Sequence, residues 1–246
     1  MPAVTEILYA LDLGDRIVGV TTNDDYPPAA RKKEKIGGFF LNLEKVVSLK
    51  PDLVIMIEDA QRRDLERFRN YGLPVKTINP HNVNEVMDSI KQIGRWTGKE
   101  RAADELVARM KRRLAAAQPT GLSFQTILKK RPKVLAIVGY NPLIVVGGGT
   151  FIDDIMKQAG AENIAGKSRQ AYPQYSLETL IDERPEYIVT TREIIRGLGK
   201  DPRWWKLSAV RDGKVLIMDA DVLSRPGPRV IDSVEQIARF IYGKKN

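Results

Sequence analysis

The stretch NLEKVVSLKPDLVI, Asn42 to Ile55, is echoed by SLETLIDERPEYIV, Ser176 to Val189. The two copies share Leu, Glu and Pro at matching places, and most other positions are chemically alike. Each opens on a side chain able to accept from the free amides of a helix start. Each then puts apolar residues on one helical face, stops at Pro, and ends in β-branched residues. A capped short helix followed by a strand is therefore predicted twice. From Glu44 to Glu178 the spacing is just over half the chain, far longer than the roughly 20–50 residues of a solenoid repeat. It points to two kindred lobes.

The segments around each copy alternate in the same way. In the first half, a helical pattern covers Thr5 to Leu13, and Arg16 to Thr21 reads as a strand. Residues Asn23 to Phe40 are rich in turn formers and read as a loop with one helical turn. Strand Leu53–Ile57, helix Arg62–Tyr71, strand Val75–Ile78 and helix Val83–Trp96 follow. In the second half, strand Lys133–Val138, an apolar stretch at Leu143–Val146 and a turn at Gly147–Gly149 precede a helix capped by Thr150. After the second copy come a helix near Glu193, strand Val215–Met218, loop Asp219–Pro228 and a terminal helix to Tyr242. Such alternation predicts βαβ units and mainly parallel sheets.

Lys99 to Gln118 is different. It lacks Gly and Pro, and Ala102, Leu106, Met110 and Leu114 form one stripe. About twenty helical residues span about 30 Å, so this stretch reads as one long connecting helix. The predicted fold class is α/β: two Rossmann-like lobes with mainly parallel sheets, joined by one long α-helix, with a ligand cleft between them. Residues 1–97 form the N-terminal lobe, 98–130 the connecting helix and linker, and 131–246 the C-terminal lobe.

Composition narrows the chemistry. The chain has no cysteine, which excludes disulfides, thiolate metal sites and Cys nucleophiles. Its one histidine, His81, argues against a multi-histidine metal site and against a hydrolase triad. Adjacent acidic pairs such as Asp24–Asp25 and Asp153–Asp154 point in different directions and make poor acid–base pairs. The net charge is +9, but the basic residues are dispersed, which favours a solvated surface over a nucleic-acid interface. No apolar run reaches the roughly 18 residues of a membrane helix. The triplet Gly147–Gly149 lacks the Lys-Ser/Thr of a nucleotide loop and reads as a turn into a capped helix.

Several residues invite a binding role. Tyr26, Phe39, Phe40, Tyr140 and Tyr172 fall in segments that follow or connect strands, where open α/β folds bind ligands. For any one of them alone, core packing is the commoner explanation; as a set split across both halves, they suggest a cleft lined from two sides. Asn141 is taken with Tyr140. Trp96, Trp204 and Trp205 read as packing residues. Asp221 and Arg225 lie in DADVLSRPGPR, a loop stiffened by two prolines. They suit recognition of amide or acidic groups, or else pair with one another as a surface salt bridge of little worth. Glu44 and Glu178 sit near helix starts, where the dipole favours a carboxylate. Their equivalent place in both copies also suggests a shared surface role.

With these residues in hand, the chain resembles the cobalamin-type solute-binding proteins of ABC importers, whose two lobes are joined by one helix. The resemblance runs through PAVTEILYALDL, VGVTTNDDYPPAA, IGGFFLNLEKVVSLKPDLVI, NPLIVVGGGTFIDDIMKQAGAENIAG, YPQYSLETLIDERPEYIV and DADVLSRPGPRVID. It implies a non-enzymatic, monomeric, extracytoplasmic carrier that holds a small ligand between its lobes and has no cofactor or metal of its own. It also implies that Glu44 and Glu178 dock on arginines of a permease dimer. Tyr26, Asp221 and Arg225 match ligand contacts of the class. Where its best-known cobalamin carriers present tryptophans, this sequence has Gly38, Ile57 and Tyr172, with Phe39 and Phe40 nearby to compensate. The expected cargo is a corrinoid, cobalamin or cobinamide; haem and ferric siderophores stand as alternatives. A cytosolic two-lobed enzyme and a ligand sensor are the readings from other classes. Relatives also carry a strand just before PAVTE, so its absence predicts that the N-terminus, with any signal or lipid-anchor Cys, has been removed.

Overall fold

The computed structural model describes residues 1–38, 40–118 and 131–243. The chain divides into two compact units: Met1–Met110 with Arg225–Pro228, and Lys111–Ser224 with Arg229–Asn246. The linker expected up to residue 130 lies, from 119 onward, outside the described residues.

The first unit contains α1 (Pro2–Ala10), α2 (Leu43–Ser48), β1 (Val54–Ile57), α3 (Arg62–Asn70), β2 (Val75–Ile78), α4 (Val83–Thr97) and the start of α5 (Glu100–Ala117). Strands β1 and β2 pair in parallel, with Val54 opposite Val75 and Ile57 opposite Ile78. Leu41, Leu43, Val46, Met56, Leu65 and Phe68 form a buried cluster against this pair. Helix α4 ends at Gly98, whose positive φ of 70° turns the chain into α5. Helix α5 buries Ala103, Leu106, Val107 and Met110, a stripe with mixed steps of three and four rather than the strict steps of four expected.

The strand expected at Arg16–Thr21 is not formed. Only one parallel bridge, Val20 to Lys35, ties this segment to a neighbour. Val20 N–H donates to the Glu34 carbonyl at 2.9 Å, and Ile36 N–H returns to Val20 at 3.0 Å. A ladder needs several consecutive pairings, and the described chain offers one here. Leu8, Val20, Met56 and Phe68 are among the residues lining a cavity of about 290 Å³ in this unit. Its walls come from α1, the 16–21 segment, residues 49–56 and single turns of α2, α3 and α4, and none of the expected site residues belongs to them.

The second unit contains β3 (Lys133–Tyr140), β4 (Leu143–Val145), α6 (Phe151–Gln158), β5 (Glu162–Asn163), α7 (Leu177–Glu183), β6 (Tyr187–Thr191), α8 (Arg192–Leu198), α9 (Ser208–Arg211), β7 (Val215–Met218), α10 (Ala220–Ser224) and α11 (Val230–Tyr242). The strands run β4-β3-β6-β7, with β5 also paired to β3. All pairings but β3–β4 are parallel. Val134, Leu135, Ala136 and Ile137 are all fully buried, as expected of a central strand covered on both faces. Trp204 is buried in this core, whereas Trp205 is exposed and donates its indole N–H to the Gly199 carbonyl, so the packing role expected of it does not hold. The segment read as a loop from Asp219 begins with helix α10, because Asp219 Oδ1 accepts from the amides of Asp221 at 2.9 Å and Val222 at 3.0 Å. Arg113 forks onto α11, reaching Asp232 at 2.6 Å and Glu235 at 2.7 and 2.8 Å.

The two sequence copies fold alike. Asn42 caps α2 by accepting from Lys45 N–H at 3.0 Å, and Ser176 caps α7 by accepting from Thr179 N–H at 3.0 Å. Leu43 and Val46 in one, Leu177 and Leu180 in the other, are buried. Both exits pass through a left-handed residue, Lys50 at φ 46° and Arg184 at φ 48°. Pro51 or Pro185 then blocks any return to helix, and β1 or β6 follows.

In the first unit, Arg225 is the central ion-pairing residue. Its guanidinium donates to Asp25 at 2.7 Å, to the Asn23 carbonyl at 3.3 Å and to Glu6 on α1 at 3.4 Å. The Arg225 side chain is only 12% exposed and that of Glu6 only 2%. The hydrogen bond from Arg225 holds the Asp25 carboxyl below the ordinary carboxylate range.

Two outcomes follow for urea unfolding. Arg184→Gly should gain roughly 0.5–1 kcal/mol, because relief of a left-handed L-residue outweighs the added freedom of the unfolded chain; a loss would contradict the backbone assignment. Arg225→Ala should cost about 2–3 kcal/mol at neutral pH through the carboxylates it abandons. Asp25 is depressed in the folded state, so its share is complete above the ordinary carboxylate range and is lost as pH falls through the folded value. The gap between wild type and variant should therefore narrow in acid; a gap independent of pH would remove Asp25 from the account.

Candidate functional site

In the first unit, the loop carrying Tyr26 is fixed from both sides. Thr21 N–H donates to the Asp24 carboxylate at 2.8 Å, and the Thr21 hydroxyl bonds the same oxygen. Lys35 reaches the carbonyls of Asp24 and Ala30, each at 3.3 Å. The Arg225 ion pairs close the other side. Tyr26 is left exposed. Arg225 itself, expected to face a ligand, is mostly buried and engaged within this unit, so here it orders the loop. Phe40 is exposed beneath the Arg63 guanidinium, 5.6 Å from the ring centre. Ile57 is buried at the end of β1, its amide held by Gln61 at 3.2 Å. Phe39 lies outside the described residues.

In the second unit, Tyr140 ends β3 and Asn141 occupies the exposed turn into β4. Tyr172 is exposed. Its neighbours Ala171 and Pro173 accept from Gly147 N–H at 2.8 Å and Val145 N–H at 3.1 Å, which anchors the backbone on either side of it. Asp221 is half-buried in the first turn of α10.

The glycine triplet is explained by packing and by a carboxylate of the chain itself. A Cβ on Gly147 would lie 2.1 Å from the Gln170 carbonyl oxygen, and one on Gly148 would lie 2.0 Å from that of Gly166. Thr150 caps α6 through the Asp153 amide at 3.2 Å. The buried Asp153 carboxylate accepts from Gly149 N–H at 2.9 Å, Asn163 at 2.9 Å and Lys157 at 2.6 Å. A loop amide that could meet a phosphate is thus already occupied by an internal anion, in keeping with the turn expected from sequence.

Glu44 and Glu178 are both exposed in the first turns of matching helices. Their surroundings differ. Among the described residues Glu44 makes no ion pair. Glu178 is paired with Arg203, which also clamps Asp201 at 2.6 and 3.0 Å. The Glu178 carboxyl sits below its usual range, through backbone hydrogen bonding, then Arg203, then Ser176. Asp201 is drawn down to about 2 by Arg203. Sequence reading missed Arg203; the Asp-Pro-Arg spacing at Asp201 was the available signal. Among the described residues, no group of three or more acidic or histidine side chains is arranged to hold a metal ion, and no helix is long and apolar enough to cross a membrane.

A model of the periplasmic binding protein family matches residues 1–222. The ABC transporter substrate-binding lipoprotein YvrC of Bacillus subtilis is 37% identical over 249 residues, covering 98% of this chain and 78% of the relative. The crystal structure of the periplasmic vitamin B12 binding protein BtuF of Vibrio cholerae superposes with a TM-score of 0.83 at 28% identity, over 100% of this chain and 96% of that one. A periplasmic heme binding protein from Pseudomonas aeruginosa gives the same TM-score at 25% identity, over 100% of this chain and 91% of that one. The fold is therefore the two-lobed α/β architecture expected from the repeat. The chain belongs to the periplasmic binding protein family, the extracytoplasmic proteins that bind a transported small molecule for an ABC permease and do not transform it.

Proposed function

We propose that this chain captures a corrinoid, cobalamin or cobinamide, and presents it as a monomer to an ABC importer. The observation that carries the reading is the full-length likeness to the Vibrio cholerae vitamin B12 binding protein. In this reading Tyr26 and Phe40 of the first unit and Tyr140, Asn141 and Tyr172 of the second are ligand contacts, with Asp221 adding a polar one and Phe39 a further ring. Exposed aromatic faces suit a flat macrocycle, since their apolar area is large and few rotamers are lost on binding. Arg225 contributes by fixing the Tyr26 loop.

Haem is the second reading. It is favoured by the equally high superposition on the Pseudomonas aeruginosa heme binding protein and by the lack of tryptophan at Gly38 and Ile57. In either case Glu44 and Glu178 are the residues proposed to meet cationic groups of the permease, and Arg203 competes with the permease for Glu178.

Titration with cyanocobalamin, dicyanocobinamide and haemin, followed by tryptophan emission and visible absorbance, should give saturable one-to-one binding of a corrinoid. Binding of haemin alone would replace the first reading by the second, and binding of none would dismiss both. For docking, Glu44→Arg with Glu178→Arg should abolish stimulation of the cognate transporter ATPase with ligand affinity nearly unchanged. Arg203→Gln should instead strengthen productive docking about two- to fivefold, the scale of one exposed ion pair. Normal stimulation by the double variant would eliminate the acidic pair as the docking element.

A further inference from the structure

The parallel strands β3 and β6 are neighbours in the second unit, paired from Val134–Tyr187 to Ala136–Val189. Their carboxyl ends deliver Tyr140 and Arg192, so α8 begins at the rim where parallel sheets present ligand-contacting groups. Arg192, Arg196 and Lys200 recur every fourth residue along α8 and just beyond it. With Tyr140, Glu193 and Gly197 they line a depression of about 490 Å³. All three side chains are exposed, and among the described residues none of these side chains makes an ion pair or hydrogen bond. Arg113, Lys157, Arg203 and Lys214 of the same unit are, by contrast, each held by carboxylates. Glu193 offsets one charge, and a net surplus of like charge remains at helical i, i+4 spacing, where it repels itself.

Tyr140 supplies the other half of the arrangement. A Cβ on Gly197 would fall 2.3 Å from Tyr140 Cδ2, so the ring lies directly on the α8 backbone at a position that only glycine leaves open. The ring is still 47% exposed. A flat apolar face thus sits beside two guanidiniums, which accept carboxylate or phosphate oxygens in bidentate fashion.

Resting on the carrier reading above, we propose that this depression receives an anionic substituent at the edge of the transported chelate. The group is a phosphodiester if the cargo is a complete cobalamin, or a propionate carboxylate if it is haem. Tyr140 contacts the adjoining ring face, and Arg192 and Arg196 neutralise the charge.

The test compares cyanocobalamin with dicyanocobinamide, which lacks the nucleotide loop and its phosphate, and haemin with its dimethyl ester. Wild type should prefer the anionic member of whichever pair it binds, and the responding pair identifies the source. In Arg192→Gln/Arg196→Gln, affinity for that member should fall at least about tenfold, with the uncharged partner nearly unaffected. Arg192→Lys/Arg196→Lys should keep most of the preference. Gly197→Val, which displaces Tyr140, should weaken both members together. Equal affinity for both members in wild type, or equal losses in the Gln variant, would overturn the anion site and leave the carrier reading intact. Binding of none of the four would remove the carrier reading and the site with it.

Discussion

A helix of six or seven residues cannot sustain itself in water, because nucleation costs more than so few hydrogen bonds return. The two copies of the repeated module meet that constraint identically. A side-chain oxygen satisfies the first amides, two apolar residues anchor the helix in the core, and a left-handed residue before proline forces the chain out into a strand. That exit sets the direction in which β1 and β6 enter their sheets. In the second unit, the register of β6 beside β3 brings Arg192, just beyond β6, to the same sheet end as Tyr140.

The two units nonetheless use the module in different electrostatic settings. Glu44 stands without an ion pair among the described residues, while Glu178 is one end of an Arg203–Asp201 chain. Symmetry of sequence therefore does not carry over to symmetry of charge. Basic groups show the same contrast: the Arg203 guanidinium is saturated by the protein, whereas those of Arg192 and Arg196 are not. In a chain with a net charge of +9, pairing rather than charge count distinguishes groups that organise the fold from groups available to a ligand.

Much of the fold was legible because its signals are local. Caps, prolines and apolar spacing lie within a few residues of the elements they specify, so the helices, the parallel strands and the long α5 could be placed from sequence. The failures have different causes. Residues 16–21 have strand composition but lack partners for a ladder, a property of the neighbourhood and not of the segment. Helix α10 hides in a proline-rich stretch because Asp219 caps it just ahead of the prolines. Of the candidate site, a set of aromatics stood out in the sequence, and Tyr26, Phe40, Tyr140 and Tyr172 are exposed. The ion pairing of Arg225 was not legible, because its partner Asp25 lies 200 residues away. Nothing near either residue in the sequence announces the other.

That long reach bears on how the chain is made. The Arg225 guanidinium meets Glu6 across 219 residues, and the short run Arg225–Pro228 belongs to the unit that otherwise ends at Met110. A ribosome releases the amino-terminal region first, yet the piece that completes it follows Met110 by more than a hundred residues. The early unit must therefore wait, unfinished, until that piece is made. A nascent chain held in that incomplete state stays open to whatever machinery handles it before Arg225 emerges.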